Sequence, residues 1–256
     1  MSFMKSYVVN TNNFSFWYGN FQALKNLTLN IHSSQITALI GPSGCGKSTF
    51  LKCLNRINER AGSVSHEGSI QVFGHDIYHP TVAMAELRRQ VGMVFQKPNP
   101  LPLTIYENVI FGARTHMRSF KNSDLDAMVE ASLQRVGLWN DLKDQLNRSA
   151  LSLSLEKQQR LCIARLLPLK PKLILLDEPC SALDPSGIEA IENLIRDLKR
   201  DYSIIIVTHS MSQAKRVSDE TIFMYMGELV EMGQTTQLFE KPKEARTAAY
   251  IEGRFG

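Results

Sequence analysis

Residues 150–185 read ALSLSLEKQQRLCIARLLPLKPKLILLDEPCSALDP, and the fold turns on their second half. Leu173-Ile174-Leu175-Leu176 is an unbroken apolar run that ends on two acids, Asp177 and Glu178. A strand buried on both faces reads this way, because a parallel sheet covered by helices leaves no solvated side to alternate with. The first half of the stretch reads as a helix opening at Ser154, with Glu156 in its first turn.

Working outward, strands and helices alternate. Residues 6–40 have strand-like spacing with a turn at Tyr18-Gly19, and Gln35 to Ile40 is a short apolar run meeting Gly41. Thr49 to Asn58 carries helical spacing through Phe50, Leu51, Leu54 and Ile57. Short strands return over 60–78, around Gly62, Gly68 and Gly74, and again at Val91 to Phe95. The prolines of KPNPLPL, 97–103, exclude regular helix there. Residues 105–167 read mainly as helices. Strand 173–177, helix 186–200, strand 203–207, helix 211–217 and a hairpin through Met226-Gly227 follow. This order implies an α/β fold whose mostly parallel sheet is joined by crossovers. The expected division is one domain over 1–256, with an α/β core at about 5–97 and 169–256 and a helical subdomain inserted at about 98–168.

The run Gly41-Pro42-Ser43-Gly44-Cys45-Gly46-Lys47-Ser48-Thr49 fits G-x-x-x-x-G-K-[ST] in full, between an apolar strand and a helix. Its glycines let backbone N–H groups converge on phosphate oxygens, and the helix start turns its positive end toward the anion. Lys47 is placed to reach the β- and γ-phosphates and Ser48 to offer its hydroxyl to Mg²⁺. Asp177 can then hold Mg²⁺ through water, and Glu178 can polarise an attacking water.

Composition bounds the rest. The chain has 256 residues, 43% of them hydrophobic, enough for a large core. A formal charge of +4 is small for this length and gives no argument for nucleic acid, which calls for a concentrated basic face. The four cysteines, Cys45, Cys53, Cys162 and Cys180, form no C-x-x-C pair and read as reduced thiols of a cytosolic protein. No apolar run approaches the roughly 18 residues of a membrane span.

The motifs together resemble the ATP-binding-cassette ATPases: the loop at 41–49, Gln96 after a strand, LILLDEP at 173–179, SALD at 181–184 and His209 after SIIIVT, in that order over residues 7–250. MVFQKPNPLPLTIYENVIFGAR at 93–114, QQRLCIAR at 158–165, LNRIN at 54–58 and DIY at 76–78 look like the ATPase subunits of bacterial phosphate importers. The resemblance implies a P-loop core with an antiparallel β subdomain beside the helical insert. It implies that Tyr18 stacks on adenine, that Gln96 binds Mg²⁺ or the attacking water, that His209 contacts the γ-phosphate and that 181–184 cross a dimer interface. It further implies ATP and Mg²⁺ as cofactors and a homodimer or heterodimer of cassette subunits, peripheral at the cytoplasmic face of the membrane. The partners would be permease subunits and, through them, an external phosphate-binding protein. The alternatives are a cassette ATPase for another small solute and a regulatory or asymmetric-dimer subunit with weak hydrolysis.

One segment departs from that pattern. Where the family has L-S-G-G-Q, serving the nucleotide of the other subunit, this chain has Leu153-Ser154-Leu155-Glu156-Lys157. Ser154 remains as the contact in trans. Leu155 puts a branched side chain where backbone must approach phosphate. A Glu156 carboxylate at ~4 Å from a phosphate charge costs on the order of 4 kcal/mol at an effective dielectric of ~20. Lys157 can offset part of this, and outward rotation of Glu156 can relieve it. The expectation is a chain that binds MgATP but closes its homodimer poorly. Pro168 is a second departure, expected to stop the preceding helix early. Cys180, where a small hydroxyl residue is common in the family, is expected to be a harmless buried thiol.

Overall fold

The computed structural model describes residues 6–116 and 121–255. Residues 1–5, 117–120 and 256 lie outside the described residues, 117–120 falling inside the stretch expected to be helical.

The described residues build two sheets. β1 (Tyr7–Tyr18), β2 (Phe21–His32), β4 (Val64–Val72) and β5 (His75–Asp76) form an antiparallel sheet in the order β2-β1-β4-β5. The second has six strands: β3 (Ile36–Ile40), β6 (Val91–Val94), β7 (Leu173–Asp177), β8 (Ser203–Val207), β9 (Glu220–Tyr225) and β10 (Glu228–Gln234). Their order is β10-β9-β3-β8-β7-β6, parallel throughout except for β10 on β9. The expected α/β class, mostly parallel sheet and antiparallel partner sheet are therefore present.

β3, β7 and β8 are buried at every residue, as their apolar runs required. Alternation then sorts them into two cores. Ile36, Ala38, Ile174, Leu176, Ile204 and Ile206 pack on the helical side, whereas Leu39, Leu173, Leu175, Ile205 and Val207 face the antiparallel sheet.

Helices occupy the connections. α1 (Lys47–Cys53) follows β3, and α2 (Met84–Gln90) precedes β6. Between β6 and β7 lie α3 (Ile105–His116), α4 (Asn122–Arg135), α5 (Trp139–Leu142) and α6 (Leu155–Ala164), with no strand among the described residues there. α7 (Pro185–Leu198), α8 (Met211–Val217), α9 (Thr235–Glu240) and α10 (Ala245–Ile251) complete the chain.

The helix expected over 49–58 is shorter than its periodicity suggests. Arg56 turns left-handed at φ 55°, and a separate 3-10 turn covers Ile57–Ala61. Arg56 is held there by Glu59 and by the Ile77 carbonyl at 2.9 Å, tertiary partners that outweigh helical spacing. α6 does end early. Pro168 sits inside a 3-10 turn over Leu167–Leu169, and Lys170 is left-handed.

Candidate active site

Four parallel strands end along one edge of the six-stranded sheet, and each hands over to a residue singled out in the sequence. β3 runs into Gly41, β6 leads to Gln96, β7 ends on Asp177 and Glu178, and β8 leads to His209. Such carboxyl edges gather ligands because the loops converge there.

The glycines of the loop are conformationally required. Gly41 has φ 145° and Gly46 has φ 105°, where a side chain is strained. A Cβ on Gly41 would stand 2.1 Å from the Met224 carbonyl oxygen, and one on Gly46 would meet Leu24 Cδ2 at 2.9 Å and the Ala23 carbonyl at 3.0 Å. The loop is thus pressed against the β9 strand and β2 with only hydrogen to spare. Gly41→Ala is expected to lower stability by about 3 kcal/mol, the upper range for forced overpacking, read as a shifted urea midpoint.

Lys47 opens α1 and curls back over the loop. Its ammonium donates to the carbonyls of Gly41 at 2.7 Å and Pro42 at 2.8 Å. Burial holds the ammonium below the usual lysine range, against the opposing pull of Cys45, Glu178 and Asp177. A polyanion at this point relieves that penalty directly. Pro42, Ser43, Gly44, Cys45 and Thr49 complete the loop and first turn of α1; burial pushes the Cys45 thiol above its usual range.

Ser48 donates its hydroxyl to Asp177 at 2.7 Å, and Lys52 approaches the other Asp177 oxygen at 3.6 Å. Next to it Glu178 is left-handed at φ 48°, an uncommon state for a non-glycine residue that tends to persist where function fixes it. Its backbone N–H donates to the Val207 carbonyl at 3.0 Å, tying β7 to β8 beyond their ends. Gln96 Nε2 donates to one carboxylate oxygen at 2.8 Å, and His209 Nε2 meets the other at 2.5 Å. Two residues, from the ends of β6 and β8, thus converge on the carboxylate at the end of β7.

Tyr18, at the end of β1, is half-buried and edge-on to Phe16 at 5.1 Å between centroids. Burial raises its phenol above the usual range, with Thr49 and Asn58 as its polar neighbours. The ring therefore stands beside α1, at the same end of the chain as the loop.

Ser154 lies elsewhere. It caps α6 by accepting from Lys157 N–H at 3.4 Å and lines a cleft of about 500 Å³ with Leu155, Glu156, Leu183, Asp184 and Gly187 among others. The charges around it are paired within the chain. Glu156 is paired with Arg160 one turn later, so its carboxylate is turned back along the helix. Lys157 is paired with Asp141 at 2.7 Å. Leu155 stands out, 51% exposed, and Leu151 nearby is 55% exposed. Of the obstacles read from the sequence, the bulk of Leu155 remains and the charge of Glu156 is already answered.

Sequence reasoning missed Asn108. Fully buried in α3, it accepts from Leu101 N–H at 2.8 Å and donates to the carbonyls of Leu101 at 3.1 Å and Thr104 at 2.9 Å. This side chain pins the proline-rich loop that Gln96 opens. An isolated Asn in an apolar helix is the signal that could have found it, since a buried amide demands partners. Asn108→Ala takes the acceptor from the Leu101 N–H and one donor each from the Leu101 and Thr104 carbonyls, which keep their backbone bonds from Leu103 and residue 108 N–H; it is expected to cost about 2 kcal/mol, seen as a lower Tm and faster proteolysis within 97–104.

Comparison with known proteins fits this geometry. The ABC transporter family model matches residues 24–181. The phosphate import ATP-binding protein PstB of Salinibacter ruber is 54% identical over 241 residues, covering 94% of this chain and 96% of that protein. PstB 5 of Trichormus variabilis is 51% identical over 247 residues, covering 94% and 95%. Among solved structures, cbiO1 of Clostridium perfringens, part of the ABC transporter complex cbiONQ, superposes with a TM-score of 0.81 at 27% identity over 98% of this chain and 97% of that one. A bacterial Atm1-family ABC exporter with ATP bound gives 0.79 at 27% identity, over 96% of this chain and 41% of the exporter. Shared over nearly its whole length with such relatives, this chain belongs to the ABC transporter family, as an ATPase of the kind found in the phosphate import ATP-binding proteins.

Proposed function

We propose that this chain binds MgATP and that its hydrolysis drives inorganic phosphate inward through a membrane permease. The observation that carries the reading is the grip of Gln96 and His209 on the two oxygens of Glu178, beside the Lys47-Ser48-Asp177 group. In this arrangement Tyr18 packs on the adenine, and the N–H groups of 41–49 receive the phosphates. Lys47 exchanges the Gly41 and Pro42 carbonyls for β- and γ-phosphate oxygens. Glu178 accepts the proton of the attacking water. His209, with its proton on Nε2, keeps that carboxylate aimed and contacts the γ-phosphate.

Oxygen ligands around one carboxylate, completed by phosphates, are the donor set Mg²⁺ prefers, and Ser48 and Asp177 already share a hydrogen bond at 2.7 Å. Ser48, Asp177 and the side-chain carbonyl of Gln96 would hold the ion, which when bound neutralises charge developing on the γ-phosphate.

The domain division proposed is a single nucleotide-binding domain over 1–256, its core at about 5–97 and 169–256 and its helical subdomain at about 98–168. No helix among the described residues is long and apolar enough to cross a membrane. The chain is proposed to sit peripherally at the cytoplasmic face, as one of two cassette subunits under permease subunits that receive phosphate from an external binding protein. Phosphate is the proposed solute because the relatives at 51–54% identity carry phosphate import in their names. Phosphate uptake by cells lacking the chain tests this: uptake restored by the parent and not by Lys47→Ala supports it, and uptake indifferent to both overturns it. A subunit with weak turnover is the second reading, favoured by Leu155 alone.

A further inference from the structure

Glu156 stands at the start of a helix assigned to the partner's nucleotide, yet its contacts lie within its own chain. Its carboxylate pairs with Arg160, and both side chains are under a fifth exposed, at 19% and 18%. The Arg160 guanidinium also donates to the carbonyls of Val136 at 3.1 Å and Gly137 at 3.2 Å, just past α4. The pair is therefore anchored to a second helix, unlike a surface pair whose long side chains wander.

The Glu156 stem meets α7. A Cβ on Gly187 would stand 3.2 Å from Glu156 Cγ, 3.0 Å from Asp184 Oδ1 and 3.3 Å from Leu183 Cβ. Asp184 in turn caps α7 by accepting from Gly187 N–H at 2.7 Å. One side chain thus reaches across the cleft from α6 to Gly187, at the start of α7 in the segment that follows Glu178.

We infer that Glu156 is a positioning residue that couples the chain's own catalytic segment to the helix start it presents to a second subunit. The inference rests on reading the chain as half of a head-to-tail dimer. Displacement of 178–184 during turnover passes through Gly187 to the Glu156 stem, and through the Arg160 anchor to the spacing of Ser154. Two elements otherwise separated by a cleft move as one because a packed, charge-paired side chain bridges them. Glycine at this position would leave the cleft unbridged.

Hydrogen exchange on the full-length chain with ATP tests this through cross-effects. Glu156→Gln removes the charge pair on α6, and Gly187→Ala pushes the stem away from α7 while itself favouring helix. Glu156→Gln is expected to raise exchange in 181–188, and Gly187→Ala to raise it in 151–158, each by about ten-fold, with 41–49 unchanged. Each substitution altering its own segment alone overturns the coupling, as does no change in either. In parallel ATPase assays kcat should fall by about ten-fold with the KM for ATP held within about two-fold. A parent chain without ATPase activity contradicts the proposed function and leaves the exchange result to stand on its own.

Discussion

Glu178→Gln is expected to lower kcat for ATP hydrolysis by about 1000-fold while leaving ATP affinity within about two-fold, because it removes the one group placed to take a proton from water. The substitution is nearly isosteric. The carbonyl of the introduced amide can still accept from Gln96, and the backbone N–H still reaches Val207, so the left-handed turn at 178 is retained. Phosphate binding belongs to Lys47, Ser48 and the loop N–H groups, none of which depends on that carboxylate for position. The same change should trap nucleotide, so ATP-dependent dimerisation by analytical ultracentrifugation provides a second reading of the interface. A fall in kcat below about ten-fold overturns the assignment of Glu178 as base, since a positioned base contributes far more than that.

The legible parts of the fold are those where burial is complete. β3, β7 and β8 have no solvated face, so composition alone marks them, and the loop between β3 and α1 is constrained at Gly41 and Gly46 by contacts with Met224, Leu24 and Ala23. α2, α9 and α10 leave no such mark. α2 buries only Leu87, and its sequence gives no stripe to read. Periodicity misplaces the end of α1 because Arg56 takes its conformation from Ile77 and Glu59, not from its neighbours in the helix.

At the site, order along the chain locates Lys47, Asp177, Glu178 and His209. It cannot reveal that Gln96 and His209 share one carboxylate, because that follows from β6, β7 and β8 being adjacent. The Glu156–Arg160 pair is in principle visible as an i, i+4 couple of opposite charge. The Lys157–Asp141 pair is not, since it joins α6 to α5 across a turn of the chain.

Leu155→Gly, with Glu156 retained, is expected to raise the steady-state ATPase rate of the purified chain by about 100-fold. The magnitude is that of restoring a backbone donor to a developing charge, which mutagenesis elsewhere puts at about 100- to 1000-fold. Leu155 is the first residue of α6 and half exposed, so its removal opens no core cavity; the expense is the weaker helix start that glycine brings, about 1 kcal/mol. Sequence alone makes the Glu156 carboxylate a second obstacle unless it rotates outward, and here it is paired with Arg160. Removing it frees Arg160 near the cleft and unseats the contact on Gly187. The triple change Leu155→Gly/Glu156→Gly/Lys157→Gln should therefore gain less than Leu155→Gly alone, and Glu156→Gly alone should gain nothing. Two results refute this order. An unmodified chain as fast as its Leu155→Gly variant shows that the leucine does not obstruct the partner's phosphate. A triple variant faster than the single one shows that Glu156 obstructs the site after all, and that its pairing with Arg160 gives way when the dimer closes.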